Sequence, residues 1–141
     1  MHDDILNTKD CGVCDRHAAE NGVSGESLMA RAGAAVARAI RERWAPRETV
    51  GGGYLARDAG TGRAGRFDRA DLIVDALFGA GLNRPPEGEA AELISAIARR
   101  NVPVVAIDLP SGVSGDRAQA DGAVAAAGLT VTFHRRKPAH I

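Results

Sequence analysis

The chain has 141 residues, a length that suits one domain with its own core, and its formal net charge is zero. A neutral balance gives no electrostatic basis for binding nucleic acid or an anionic membrane surface. No apolar run approaches the length of a membrane-spanning helix, and the polar, acidic start MHDDILNTKD is unlike a signal peptide. We therefore expect one domain over residues 1–141, a cytoplasmic location, and no nucleic-acid or membrane partner.

Two helices are predicted in the first third of the chain. We expect residues 1–10 to be flexible and residues 14–21 to form a short helix. A longer amphipathic helix follows, with a serine as its N-cap and Pro46 as its stop. Its spacing predicts that Met29 packs in the core and that Gly33 allows a close helix contact.

Cys11 and Cys14 form a CGVC motif near the N-terminus. No second cysteine pair completes a zinc site, and the motif does not follow a strand as a redox-active pair would. Two free thiols are the favoured interpretation.

Residues 47–69 are poor in strand-forming sequence. An α/β fold needs a strand after the long helix, and Thr49 and Val50 are too short a run to form one. The glycines at 51–53 could bind phosphate through backbone amides, but a plain turn is the favoured interpretation. Alternating Gly, Thr and Arg predict a flexible linker over residues 57–69.

A strand–helix–strand unit is predicted at the centre of the chain. Residues 71–78 and 102–109 are apolar runs typical of buried strands, and residues 88–100 have the spacing of an amphipathic helix. A single helical crossover makes the two strands parallel. Ligands of open α/β sheets bind beyond the carboxyl ends of the strands. Those ends carry the predicted site residues Asp75, Gly79, Gly81, Asp108 and Ser111.

The last third of the chain completes the sheet. Residues 115–128 are polar and then rich in alanine, which predicts a loop and a short helix. Residues 129–133, LTVTF, have the β-branched content of a strand. The predicted fold class is α/β, a three-layer Rossmann-like domain with a mostly parallel sheet.

Several segments resemble the YjeF N-terminal domain family. They are VDALFGAGLNRPPEG, VVAIDLPSGVSGD and LTVTFHRRKPAH, together with DRHAAENGVSGESLMARAGAAVARAI near the N-terminus. The resemblance covers most of the chain. It implies an isomerase, an NAD(P)H-hydrate epimerase that interconverts the R and S epimers of hydrated NADH and NADPH in metabolite repair.

The resemblance also implies roles for individual residues. Asp108 matches the catalytic acid–base, and Asp75 and Ser111 match positions that ligate a potassium ion. Residues 79–85 match the segment that wraps the small-molecule substrate. The implied substrate-binding residues are Gly79, Ala80, Gly81, Leu82, Asn83, Arg84, Pro85 and Asp108.

The chain departs from the family pattern at two places. The family loop GPGNNGGDG, whose asparagine contributes to the cation site, is reduced here to the glycines at 51–53. The sheet is therefore expected to be shorter than in the family by about two strands, and the exposed edge makes a homodimer one expected outcome. In the final segment Lys137 and Pro138 match the family, whereas His134, Arg136 and Ala139 stand where the family has Gly, Pro and Gly. No C-terminal dehydratase domain is expected.

An alternative from a different class is a catalytically silent domain that binds a nucleotide-like ligand or a protein partner. The missing asparagine-containing loop favours it, because a binding module would not need that residue to be replaced. A third interpretation of the missing loop is that this chain is a truncated or misassembled version of an active parent protein.

Overall fold

The computed structural model describes residues 5–44, 70–120 and 122–141. In chain order the elements are α1 (Thr8–Glu20), α2 (Gly25–Arg43), β1 (Ile73–Asp75), α3 (Gly88–Ala98), β2 (Val104–Ile107), β3 (Leu129–Val131) and a short 3-10 helix (Pro138–His140). The predictions for residues 47–69, including the missing strand and the linker, lie outside these residues.

The three strands form one parallel sheet in the order β1-β2-β3. Ile73 pairs with Val104 between the first two strands, and Val105 pairs with Leu129 between the last two. The predicted α/β Rossmann-like fold with a parallel sheet is confirmed. None of the helices in these three described stretches combines the length and apolar character that a membrane span needs.

The main core lies between α3 and the starts of β1 and β2. Ile94 and Ile97 of α3 cluster with Ile73 and Val104, and Ala125 belongs to the same buried cluster. Burial of these aliphatic side chains is the main stabilising contribution to the sheet. It places β1 and β2 side by side, so the residues that follow the two strands are brought together.

Each strand is shorter than its apolar run because the following residues leave the sheet to form other contacts. After β1, the Leu77 N–H bonds to a carboxylate oxygen of Asp75 and the Phe78 N–H bonds to the hydroxyl of Ser111. After β2, Asp108 has a φ of 69°, in the left-handed region, which ends the extended backbone. The apolar pattern predicts the strands but not where they end.

The helix expected within residues 115–128 is wrong: the described part of this segment contains none. Residues 113 and 120 form an antiparallel bridge, and the alanine-rich part runs without helix next to the residues that follow β2. The Ala125 N–H donates to the Ser111 carbonyl. At Gly112, with a φ of 101°, a Cβ atom would clash with the Ala123 carbonyl oxygen. This close backbone packing holds the segment beside Gly112 and overrides the helix propensity of its alanines.

The N-terminal helices also differ from the predictions. α1 begins at Thr8, well before the expected start at residue 14, with Asn7 as its N-cap. The core position expected for Met29 is wrong: its side chain is 74% exposed, and Val36 is the buried residue of α2. The close contact expected at Gly33 is not found among the described residues, since none of their atoms lies within 4 Å of a Cβ placed there.

Candidate functional site

The predicted site residues meet at the carboxyl ends of β1 and β2. Asp75 is the last residue of β1, Asp108 directly follows β2, and Ser111 lies in the turn after it. Asp75 and Ser111 are in direct contact, and Asp108 contacts the turn after β1 through Ala80. The arrangement expected from the strand–helix–strand unit is therefore present.

Asp75 and Ser111 form a fully buried pair. The Ser111 hydroxyl donates to one carboxylate oxygen of Asp75 at 2.6 Å, and the Ser111 N–H donates to the other at 2.7 Å. Asp75 is 1% exposed, and no positively charged side chain of the described residues contacts it. A buried carboxylate is costly unless it is hydrogen-bonded or paired with a cation. Here three neutral donors hold the carboxylate, the third being the Leu77 N–H, and the one remaining lone pair can still accept a cation.

Asp108 lies at the centre of a second cluster. One carboxylate oxygen accepts from the Lys137 ammonium at 2.6 Å and from the Thr132 hydroxyl at 2.9 Å. The other accepts from the Ala80 N–H at 3.0 Å. The carboxylate thus joins three segments: the turn after β1, the residue after β3 and the C-terminal segment.

The cluster favours the charged form of Asp108. Burial raises the pKa of this carboxyl, but hydrogen bonds from Lys137, Ala80 and Thr132 and the positive charge of Lys137 outweigh burial and lower the pKa below its ordinary value. The group is therefore a carboxylate at neutral pH. It can accept a proton from a ligand.

Lys137 lies behind Asp108 rather than at the surface of the site. The Lys137 side chain is 4% exposed, whereas the Asp108 side chain is 20% exposed. The Lys137 ammonium donates to Asp108, to the Thr132 hydroxyl and to the Phe133 carbonyl, which uses all its N–H bonds. Lys137 therefore acts through Asp108.

His140 holds the backbone of this cluster in place. Its Nδ1 accepts from the Lys137 backbone N–H at 2.9 Å, so its Nε2 carries the hydrogen and donates to the Asp108 carbonyl at 2.7 Å. Sequence reasoning assigned no role to Thr132, Lys137 or His140. The match of Lys137 to the family segment was the one available signal.

The segment predicted to wrap the substrate passes close to Asp108. A Cβ atom on Gly79 would lie 3.1 Å from the Asp108 carboxylate oxygen that accepts the hydrogen bond from the Ala80 N–H. The Leu82 N–H then donates to the Gly79 carbonyl, which closes the turn. Glycine at position 79 therefore leaves room for the carboxylate and for a ligand beside it.

Helix α1 packs at the same edge. The Leu6 N–H donates to the Arg136 carbonyl, and His134 Nε2 lies 3.0 Å from a carboxylate oxygen of Asp15. Thr8 binds the Asp116 carboxylate through its N–H, at 2.9 Å, and through its hydroxyl. α1 is thus attached to both loops that form the site.

Both cysteines of α1 are free, as predicted. Burial raises the pKa of the Cys11 thiol, so the thiol is less reactive than an exposed one. Within residues 5–44, 70–120 and 122–141, no cluster of three or more His, Cys, Asp or Glu side chains could hold a metal ion. The oxygen atoms of Asp75 and Ser111 are of the type that hard cations prefer.

Comparison with known proteins agrees with the resemblance seen in the sequence. Residues 53–139 match the family described as YjeF-related protein N-terminus. The NAD(P)H-hydrate epimerase of Rhodobacter capsulatus is 36% identical over 195 aligned positions, which cover 97% of this chain and 91% of that protein. Because 195 positions exceed the 141 residues of this chain, that relative has positions with no counterpart here.

Other relatives match over shorter stretches. The NAD(P)H-hydrate epimerase of Limosilactobacillus fermentum is 47% identical over 68 residues, or 48% of this chain and 33% of that protein. The bifunctional NAD(P)H-hydrate repair enzyme of Thermofilum pendens is 48% identical over 63 residues, or 45% of this chain and 12% of that protein. No solved structure matches the chain significantly. The family match covers more than half of the chain and the Rhodobacter protein aligns with nearly all of it, so the chain belongs to the family of YjeF-related protein N-termini.

Proposed function

We propose that the chain is an NAD(P)H-hydrate epimerase, an isomerase that interconverts the R and S epimers of hydrated NADH and NADPH. The observation that carries the proposal is the Asp108 carboxylate, charged through Lys137 and partly exposed beside the turn after β1. The Rhodobacter relative of the same name supports it over nearly the whole chain.

The reaction needs one group that gives and takes a proton. The hydrates carry a hydroxyl at C6 of the reduced nicotinamide ring. Epimerisation breaks the C6–O bond, with the oxygen leaving as water, and remakes it when water adds to the opposite face. Asp108 starts as a carboxylate, takes a proton from the water that adds to the opposite face, and then releases that proton to solvent. The departing oxygen takes its proton from solvent, so each turnover consumes one solvent proton and returns one. The lowered pKa of Asp108 keeps it ready as a base.

The substrate lies against residues 79–85 in this proposal. The glycines at 79 and 81 would let the backbone approach the ring, with the reacting carbon beside the Asp108 carboxylate. The short distance from a Cβ atom built on Gly79 to that carboxylate supports this arrangement. Asn83 and Arg84, which are exposed, reach towards the phosphates. Lys137, Thr132 and His140 are positioning residues that hold Asp108 in its charged form and in its left-handed backbone conformation.

We also propose that Asp75 and Ser111 contribute oxygen ligands to a potassium ion. The residues present fit such an ion, because Asp75 is a buried carboxylate that contacts only neutral donors among the described residues. When bound, the ion supplies a fixed positive charge at the end of β1. A single domain over residues 1–141, a homodimer and a cytoplasmic location stay predictions.

The proposal is tested by following epimer exchange by NMR. Pure R-hydrate of NADPH is mixed with the protein in potassium buffer and, in parallel, in a buffer with a bulky organic cation. We expect the S form to appear well above the spontaneous rate, and faster with potassium. Exchange at the spontaneous rate in both buffers would contradict the proposed function and favour the silent binding domain.

A further inference from the structure

An open cleft lies on the surface that residues 79–85 share with the loop after β2. It is shallow and open to solvent, and its walls include Leu82, Arg84 and Pro85 on one side and Ser114, Arg117 and Gln119 on the other. A cleft this shallow cannot enclose a whole small molecule, so a ligand would place only one of its groups there.

The two arginines of the cleft are exposed and have no ion-pair or hydrogen-bond partner among the described residues. Asp116, the acidic neighbour of Arg117 in the chain, is occupied by the N–H and hydroxyl of Thr8. Those hydrogen bonds lower the pKa of Asp116 and keep it charged on the α1 side of the loop. Arg84 and Arg117 therefore present two positive charges from two different loops.

The loop that carries Arg117 is held in place. The Ser114 N–H donates to the Gln119 carbonyl at 2.9 Å, and the Ala118 N–H donates to the Ser114 carbonyl at 3.1 Å. A Cβ atom on Gly115 would lie 2.8 Å from the Ala80 carbonyl oxygen, so the loop packs directly on the residue whose N–H binds Asp108. The cleft thus has a defined position relative to the proposed base.

We propose that this cleft binds a phosphate group of the dinucleotide substrate, with Arg117 as a binding residue alongside Arg84. Guanidinium groups suit phosphate because their planar N–H bonds match its oxygens in pairs, and the Ser114 hydroxyl adds a further donor. The inference rests on the proposed function for the identity of the substrate. The phosphate is either the pyrophosphate bridge, present in both hydrates, or the 2′-phosphate, present only in that of NADPH.

The test is a binding titration that needs no turnover. NAD⁺, NADP⁺ and inorganic phosphate are each titrated into the wild-type chain, Arg117→Ala, Arg117→Lys and the control Arg38→Ala, with heteronuclear NMR shifts as the readout. Arg38 is an exposed arginine of α2 and does not line the cleft. Losing a charge-assisted hydrogen bond weakens binding about tenfold or more. We expect this for Arg117→Ala, an intermediate loss for Arg117→Lys, and none for Arg38→Ala.

The two nucleotides distinguish the source of the phosphate. Equal weakening for NAD⁺ and NADP⁺ assigns the pyrophosphate, and selective weakening for NADP⁺ assigns the 2′-phosphate. Unchanged affinity of Arg117→Ala for both nucleotides would overturn the inference, as would a wild-type chain that binds neither. Arginine-dependent binding in a chain that does not epimerise the hydrates would leave the inference standing and contradict the proposed function alone.

Discussion

The Asp108 carboxylate accepts hydrogen bonds from Lys137 and Thr132 on one oxygen and from the Ala80 backbone on the other. Lys137 is almost fully buried and has no N–H bond left for a ligand. At the scale of the residue, the site is a single partly exposed carboxylate whose charge is maintained by a lysine behind it.

Replacing Lys137 with methionine tests this arrangement. The variant removes a hydrogen bond and a positive charge that lower the pKa of Asp108, and burial, which raises the pKa, remains. We expect the acid limb of the pH profile of kcat/KM to move to higher pH. Lys9→Met, an exposed change on α1, is the control. An acid limb that stays in place would show that Lys137 does not set the charge of Asp108.

At the scale of the element, the segment after β3 depends on a sharp turn at His134. Its φ is 60°, a left-handed conformation that glycine adopts without strain. The family pattern has glycine at this position, and the backbone geometry explains why. Histidine tolerates the conformation better than most residues, and its ring contacts Asp15 of α1.

Two substitutions at His134 separate the backbone effect from the loss of the ring. Both His134→Gly and His134→Ala remove the contact with Asp15, but only alanine keeps the left-handed strain. We expect the free energy of unfolding of His134→Gly to exceed that of His134→Ala by about 1 kcal/mol. Urea denaturation of both variants measures the difference. Equal stability, or a less stable glycine variant, would mean that residue 134 is not left-handed in solution.

At the scale of the whole molecule, contacts between distant segments hold the site together. The apolar runs and the single crossover helix predict that Asp75, Asp108 and Ser111 meet, because that outcome follows from local pattern and parallel pairing. The contacts of Lys137 and His140 with Asp108, and of Thr8 with Asp116, depend on how separate loops close. No local pattern encodes that closure. The alanine-rich segment shows the same limit, since close packing overrides its helix propensity there.

The pH dependence of stability reports on the same long-range contacts. The pKa values of Asp108 and Asp116 are both lowered from 3.8 in the folded chain. Folded-state values below the unfolded value mean that these carboxylates stabilise the fold fully above about pH 4 and lose that effect as the pH falls further. We expect the urea concentration at the unfolding midpoint to decrease as the pH is lowered below about 4. The decrease should be less steep in Asp116→Asn than in the wild-type chain. An identical acid dependence in the two proteins would contradict this.

The role of Asp108 is tested most directly by the rate of epimer exchange in Asp108→Asn. Asparagine keeps the size and a hydrogen-bonding oxygen but cannot take up a proton from water at neutral pH. Loss of a general acid–base group lowers rates by about 10²- to 10⁴-fold. The control, Asp71→Asn, changes an exposed aspartate just before β1. We expect a loss in this range for Asp108→Asn and wild-type exchange for Asp71→Asn. Wild-type exchange in Asp108→Asn would contradict the assignment of Asp108 as the acid–base group.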